Sequence, residues 1–357
     1  MDLRLRAVTG AALAAVGVLF VLPAPAPAPA GPAEAMTVTG PPADLATAWP
    51  AAQVSSMPSS QADGSTFIPL LVLEPGTVAG MLNGKTFALR TPSGTRELMP
   101  DLNGNSHSLG GYTAAGGQIF WFVSVAGPGG TQQQTLWTAD VAAGPARVLT
   151  SDTGVAIGRV GTLDLQIAGG FAHWAAEVRG GDTELRSIPV TGGTVTTTRV
   201  MGRYTVAAWP WLAPVVSSTG SPVELLNGET KAVLRVPGVK GRRLNCGPQW
   251  CRSSDDGILE LRRADGSDMR RFGDQRSRTG AQPIGAVSNV EVFAGGAHST
   301  VMGQARPLFV YDIPGRRVVR IDAAAGAYGV RDDWLMWSTG DGEAIVWHML
   351  DLRTLKP

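Results

Sequence analysis

The chain has 357 residues, of which 44% are hydrophobic and 17% charged, and its formal net charge is +1. This composition supports a large folded core and excludes a disordered chain, and the balanced charge gives no global attraction to nucleic acid. The 46 glycines and 25 prolines favour many short strands joined by turns over a helical fold.

The N-terminal residues have the pattern of an export signal. Arg4 and Arg6 precede the apolar run VTGAALAAVGVLFVL, and an A-x-A site follows at Ala33-Glu34-Ala35. The run is shorter than the roughly 20 residues that span a bilayer, so we predict a signal peptide over 1–35. The alternative is an uncleaved anchor, with PAPAPAPAGPA as an extended stalk. Both readings predict a secreted or cell-envelope protein.

The mature chain divides into a short leading segment and one long domain. Residues 36–64 are polar and irregular, apart from the apolar piece LATAWPAA, which could pack as a short strand or helix. From Thr66 onward, short apolar runs alternate with Gly, Pro and Asn, and no sustained helical stripe occurs. We therefore predict an all-β domain over 65–357.

A hairpin recurs along this domain. Each copy has a turn glycine, and successive glycines are 35 to 50 residues apart: Gly94, Gly144, Gly193, Gly228, Gly266 and Gly315. IVWHMLDLRTL, from Ile345 to Leu355, reads as a seventh hairpin without the glycine. Repeats of this length, with about four strands each, predict a seven-bladed β-propeller of four-stranded antiparallel blades.

Large side chains mark a second register, in the strand before each hairpin. The positions are Val78, Trp121, Trp174, Trp211, Trp250, Phe293 and Trp337. An aromatic stripe can stack sugars or bases, but recurrence at one blade position favours packing between blades. Trp209 is the exception: it shares a strand face with Trp211 across Pro210, and we expect one of the two to reach a surface.

The repeats resemble TolB-like and WD-repeat β-propellers. The resemblance rests on strand-ending aspartates before a turn and a basic strand, at Asp140, Asp312 and Asp351. The Gly-His pair and Trp-Asp dipeptide of WD repeats are absent. The stretches WPWL, CGPQWCR, LRRADGSDMRR and MWSTGDGEAIVWHMLDLR are similar to an uncharacterised family of secreted actinobacterial proteins. These resemblances imply the propeller and export, and they bring no activity.

The two cysteines are predicted to pair. Cys246 and Cys251 lie five positions apart, and close cysteines in an oxidising compartment usually form a disulfide. A structural zinc site needs four ligands and no histidine is near, while the spacing differs from the C-x-x-C of redox sites.

No catalytic, cofactor or metal motif emerges. The sequence has no G-x-S-x-G, H-E-x-x-H or phosphate-binding glycine loop. The histidines are scattered over four repeats, at His107, His173, His298 and His348. The stretch from Asp101 to Ser106 lacks the glycine and glutamate of a calcium loop. We therefore assign no catalytic, cofactor-binding or metal-binding residue.

The one charge asymmetry lies in 240–280, which has ten basic and six acidic residues. It is either a solvated outer strand or a docking face for an anionic partner. On the second reading, Arg242, Arg243 and Arg252 beside the disulfide are candidate contacts, with Trp209 as a separate one. We predict a monomeric, non-catalytic binding or scaffolding propeller whose partner is a protein or an anionic cell-envelope polymer. It would not bind nucleic acid, and it would meet the membrane only through an uncleaved anchor. The alternative is an exported hydrolase or lyase acting on a carbohydrate or peptide.

Overall fold

The computed structural model describes residues 36–37, 41–99, 107–127, 132–158, 164–215, 217–255, 258–272, 290–294 and 305–355. It shows a seven-bladed β-propeller, which confirms the predicted fold and number of blades. The predicted signal peptide, the stretch from Asp101 to Ser106 and His298 lie outside the described residues.

The N-terminal residues form a strap, comprising 36–37 and 41–58. Its elements are β1 (Met36–Thr37), β2 (Ala43–Asp44), α1 (Leu45–Ala48) and β3 (Val54–Pro58).

The strands that follow build the blades in chain order. Blade 1 has β4 (Phe67–Glu74), β5 (Thr77–Leu82), β6 (Thr86–Thr91) and β7 (Gly94–Met99). Blade 2 has β8 (His107–Ala115), β9 (Gln118–Ala126), β10 (Gln132–Asp140) and β11 (Arg147–Thr150). Blade 3 has β12 (Val155–Ile157), β13 (Leu165–Ala168), β14 (Phe171–Glu177), β15 (Thr183–Pro189) and β16 (Thr196–Val200). Blade 4 has β17 (Tyr204–Ala208), β18 (Trp211–Pro214), β19 (Val223–Asn227) and β20 (Val233–Val236).

In each of the last three blades, a strand of the strap pairs with the outer edge of the sheet. Blade 5 has β21 (Asn245–Cys246), β22 (Trp250–Asp255), β23 (Ile258–Arg263) and β24 (Met269–Phe272). Blade 6 has β25 (Val290–Ala294), β26 (Arg306–Asp312) and β27 (Arg317–Ala325). Blade 7 has β28 (Tyr328–Arg331), β29 (Trp334–Thr339) and β30 (Val346–Asp351), and 3-10 turns occupy Gly342–Ala344 and Leu352–Thr354.

The propeller has two different ends. First strands of neighbouring blades contact one another around the axis, as β4 contacts β8 and β13 contacts β17. Within a blade the strands alternate in direction, so the connections from first to second and from third to fourth strands share one end, the turn end. The connections from second to third strands and from blade to blade lie at the other, the loop end. Because β27 leads directly into the first strand of blade 7, we assign β25 to a second-strand position.

The strap closes the ring. β3 pairs antiparallel with β30, from Val54 opposite Leu350 to Pro58 opposite Val346, and is the outermost strand of blade 7. β1 and β2 run parallel to β24 and β27, so the strap covers the outer edges of blades 5, 6 and 7 in turn. Within 36–64, the short helix α1 lies in the apolar piece LATAWPAA, as expected, and β3 adds a regular strand.

The predicted seventh hairpin also needs correction. Its first half is β30, but Leu352–Thr354 forms a 3-10 turn instead of a returning strand. The fourth strand of blade 7 is β3, which pairs with β30.

The core consists of apolar clusters between adjacent blades. Trp121 packs on Phe87 of blade 1 at 5.0 Å between ring centroids, and Trp174 packs on Phe122 of blade 2 at 5.9 Å. Trp121, Trp174 and Trp337 are buried, as predicted for the aromatic register. The common register predicted for the tryptophans does not extend to Trp211 and Trp250, which are half-buried. These two begin their strands, whereas the three buried tryptophans are the fourth residues of theirs.

The turns explain the glycines and aspartates that mark the repeat. All six marker glycines lie in or next to connections between third and fourth strands. Gly144 has a φ of 89°, which disfavours other residues, and a Cβ at Gly315 would lie 2.2 Å from Asp312 Oδ2. That Asp312 carboxylate accepts hydrogen bonds from Gly315 N and Arg317 Nε. The aspartates on which the resemblance rests, Asp140, Asp312 and Asp351, therefore cap turns by accepting a backbone hydrogen bond.

Candidate functional site

The disulfide is present and lies inside blade 5. Cys246 and Cys251 are opposite each other on β21 and β22, with their Cα atoms 4.0 Å apart. Both cysteines are buried. The bond joins the two innermost strands of the blade and confirms the predicted pairing.

Arg252 is not available to a partner. It lies on the face of β22 that meets blade 6, and its Nη1 is 2.9 Å from Glu291 Oε1, with 11% and 0% of the two side chains exposed. Burial raises the pKa of Glu291 to about 7, against the opposing effect of the Arg252 charge. The hypothesis that Arg252 presents a free cation is therefore corrected: the guanidinium compensates a buried carboxylate.

Arg242 is also an internal residue. Its Nη1 lies 2.7 Å from Oε2 of the buried Glu260, which also accepts from Arg271 Nε at 2.8 Å. The neighbouring Arg243 is exposed and has no acidic partner among the described residues. Of the three predicted arginines, Arg243 is the one presented to solvent.

The polar face of β23, which carries Glu260, was not recognised in the sequence. Glu260 and Arg262 alternate with Leu259 and Leu261 along β23, so the polar pair shares one face of the strand. Arg262 is buried, its Nη2 donates to Pro237 O at 2.6 Å, and burial lowers its pKa. The strand alternation in ILELRR was the available signal.

Trp209 lies at the turn end of blade 4, away from the arginines. Its indole stacks on His173 of blade 3, with ring centroids 3.7 Å apart, and its Nε1 donates to Glu229 Oε1 at 3.1 Å. The backbone N–H of Trp209 donates to Gln166 Oε1 at 2.7 Å. Trp209 is half-buried, so these contacts fix it across the boundary between two blades.

Two of the described histidines, His173 and His348, are held by hydroxyl groups. His173 Nδ1 lies 2.7 Å from Ser187 Oγ, and His348 lies 2.8 Å from both Ser56 Oγ and Thr339 Oγ1. Burial lowers the pKa of both imidazoles, which favours their neutral form at pH 7. His107 is exposed at the start of β8, so these three histidines belong to different blades.

One carboxyl group approaches the axis at the turn end. Asp332 follows β28, and its Oδ2 accepts from Thr113 Oγ1 at 2.8 Å and from Ala114 N at 3.2 Å on blade 2. Arg331 lies over the Tyr112 ring at 4.7 Å. Desolvation raises the pKa of Asp332, against the opposing effect of the hydrogen bonds from Thr113 and Ala114.

The loop end of blades 3 and 4 presents a surface built from four connections. It comprises the connections 178–182, 201–203, 217–221 and 237–244, and we call it the loop-end surface. Backbone groups join these connections: Gly202 N donates to Asp182 Oδ1 at 3.1 Å, and Gly220 N donates to Arg242 O at 2.8 Å. Arg179, Lys240 and Arg243 are exposed here without an acidic partner among the described residues.

A metal or a membrane span is not evident in the described residues. They contain no group of three His, Cys, Asp or Glu side chains that could hold a metal ion. None of their helices has the length and apolar character needed to cross a bilayer.

Comparisons with known proteins find distant structural likenesses. No protein family and no curated protein sequence matches the chain. A solved prolyl endopeptidase is similar at 12% identity and a TM-score of 0.44, over 80% of this chain, which spans 46% of that one. A putative TolB from Agrobacterium tumefaciens is 14% identical, with a TM-score of 0.39, over 63% of this chain and 83% of its own. The β-propeller domain of the Trilobed protease from Pyrococcus furiosus is 9% identical, with a TM-score of 0.42, over 67% and 80%. Likenesses this distant do not bear on function.

Proposed function

We propose that this protein is an extracytoplasmic binding or scaffolding propeller that holds an anionic cell-envelope partner on the loop-end surface. The observation that carries the proposal is the set of three exposed cations, Arg179, Lys240 and Arg243, without acidic partners among the described residues. Cations held on a pre-ordered surface bind anions with little loss of conformational freedom.

The location outside the cytoplasm is supported by two observations. The chain starts with a basic and apolar segment ending in an A-x-A site, and its cysteines are bonded to each other. Disulfides persist in oxidising compartments and are rare in the cytosol.

The alternative of an exported hydrolase or lyase has one observation in its favour. Asp332 combines a raised pKa with a position facing the axis, which is where propeller enzymes gather their catalytic groups. The enzyme alternative would be supported by turnover of a carbohydrate or peptide by the purified protein, if Asp332→Asn abolishes that turnover.

The binding proposal can be tested with a labelled polyanion, sulfated dextran, and neutral dextran as a reference. Fluorescence polarisation should show binding that weakens as salt increases, because exposed charges are screened. Lys240→Ala with Arg243→Ala should lower the affinity about tenfold or more, since each exposed cation near an anionic surface contributes about 1 kcal/mol.

The control removes the same charge from the other end. Arg147 and Arg263 are exposed at the turn end, so Arg147→Ala with Arg263→Ala should leave the affinity within about twofold. Equal losses in the two double variants, or binding that is insensitive to salt, would reject the loop-end surface as the site.

A further inference from the structure

The loop-end surface carries an exposed apolar side chain at its tip. Met201 is 85% exposed, whereas the other exposed large apolar side chains among the described residues are at most 59% exposed. It lies in the connection 201–203, between blades 3 and 4. Val155, at the same end of blade 3, is 46% exposed.

The backbone around Met201 is held in place from below. Thr183, which is fully buried, donates from Oγ1 to Gly202 O at 2.8 Å and accepts from Tyr204 N at 2.8 Å. Asp182 accepts from Gly202 N, and this hydrogen bond lowers its pKa, which keeps the carboxylate ionised. The exposure of Met201 is therefore a feature of an ordered turn and does not come from a loose chain end.

Three arginines lie in the segments next to this tip, and two of them are paired with carboxylates. Arg199, which is 62% exposed, pairs with Asp182 at 2.9 Å, and Arg203, which is 51% exposed, pairs with Glu177 at 3.4 Å. Arg179 lies in the connection that contains Asp182 and adds a cation without an acidic partner among the described residues. Lys240 and Arg243 extend the cationic surface across blade 4.

A bilayer uses both features, whereas a soluble polyanion uses the charges alone. An exposed apolar side chain with arginines beside it can enter the boundary between headgroups and acyl chains. The guanidinium groups then lie at the level of the anionic headgroups, with their aliphatic stems covering apolar surface.

We propose that the loop-end surface docks on an anionic phospholipid bilayer, with Met201 inserted between the headgroups and Arg179, Lys240 and Arg243 contacting them. The proposal rests on the function proposed above and names its partner.

The test is co-sedimentation of the protein with vesicles of phosphatidylcholine containing 0 or about 40 mol% phosphatidylglycerol. We expect binding to the anionic vesicles and little to the neutral ones. Met201→Glu should lower anionic-vesicle binding roughly tenfold, since it removes an inserted group and adds a repelled charge. The substitution lies at an exposed position and should leave the fold intact, which circular dichroism verifies.

Val233→Glu is the matched control, because Val233 is 59% exposed at the turn end and the change in charge is the same. It should keep wild-type vesicle binding. Equal losses for Met201→Glu and Val233→Glu, or no binding to anionic vesicles, would overturn the bilayer proposal.

Sulfated dextran separates this proposal from the broader one. Met201→Gln, which keeps the charge, should weaken vesicle binding several-fold while leaving dextran binding unchanged. Suppose that dextran binding depends on Lys240 and Arg243 but vesicle binding is unchanged in Met201→Gln. This result would reject insertion of Met201 and would favour a soluble polymer as the anionic partner. If the wild-type protein does not bind sulfated dextran, the proposal that the loop-end surface holds an anionic partner is rejected.

Discussion

Arg252 of blade 5 and Glu291 of blade 6 form an ion pair that is almost closed to solvent, with 2.9 Å between Nη1 and Oε1. The second carboxylate oxygen of Glu291 is buried without a hydrogen-bond partner in the described part of the chain. The pair joins two blades, so charge compensation at this boundary is coupled to the integrity of the ring.

Replacement of Glu291 should change the pH dependence of stability. The folded-state pKa is about 7, against roughly 4.3 in an unfolded chain. Between these values the folded protein keeps a proton that the unfolded chain has released, so wild-type stability falls as pH rises from 5 to 8. Glu291→Gln cannot titrate, so its free energy of unfolding relative to wild type should increase over this range by on the order of 2 kcal/mol. Urea denaturation at several pH values measures this. Glu224→Gln, at an exposed position, should follow the wild-type slope, and parallel curves for Glu291→Gln would contradict the prediction.

The two arginines that flank the disulfide should differ in their effect on stability. Arg252→Ala leaves Glu291 buried without its partner, and breaking such a pair costs about 3–5 kcal/mol. Arg243→Ala removes an exposed side chain and should change stability by less than about 0.5 kcal/mol. Chemical denaturation of the two single variants distinguishes them. Similar unfolding midpoints would show that the Arg252–Glu291 pair does not stabilise the fold.

Loss of the disulfide should weaken blade 5. The bond closes a loop of only five positions, for which the chain-entropy account gives about 2 kcal/mol. Cys246→Ser with Cys251→Ser should lower the free energy of unfolding by about this amount. Thiol titration of the unfolded, unreduced wild type should find no free thiol, and reduction should release two. Two free thiols before reduction would refute the pairing.

Truncation of Trp49 should loosen the strap. Trp49 is 2% exposed in the cluster between blades 6 and 7, and Arg317 lies over its ring at 5.5 Å. Trp49→Ala should cost about 3–5 kcal/mol through lost burial and the cavity left behind. Amide exchange should accelerate most in β3 and β30, the strands that close the ring. Val54→Ala is the control, because Val54 is 39% exposed, and it should have a small effect. If the two substitutions have equal effects, Trp49 does not anchor the strap.

The sequence by itself determined the features that are local. A blade is built mostly from consecutive strands, so the alternation of apolar residues and the turn chemistry of Gly144, Asp140 and Asp312 predicted the hairpins of the first six blades. The pairing of Cys246 with Cys251 was predictable for the same reason, because the two lie on adjacent strands of one hairpin.

Only the tertiary structure decided the features that join distant residues. The fourth strand of blade 7 pairs Val54 with Leu350, and a strand of ordinary polar sequence such as VSSMP does not indicate which distant edge it will cover. The roles of the arginines depend in the same way on neighbours from other segments. Arg252 pairs with Glu291 and Arg242 pairs with Glu260, whereas Arg243 and Met201 are exposed in the described part of the chain. A charge or an apolar side chain has the same local pattern in both situations, and its burial is set by which blade packs against it.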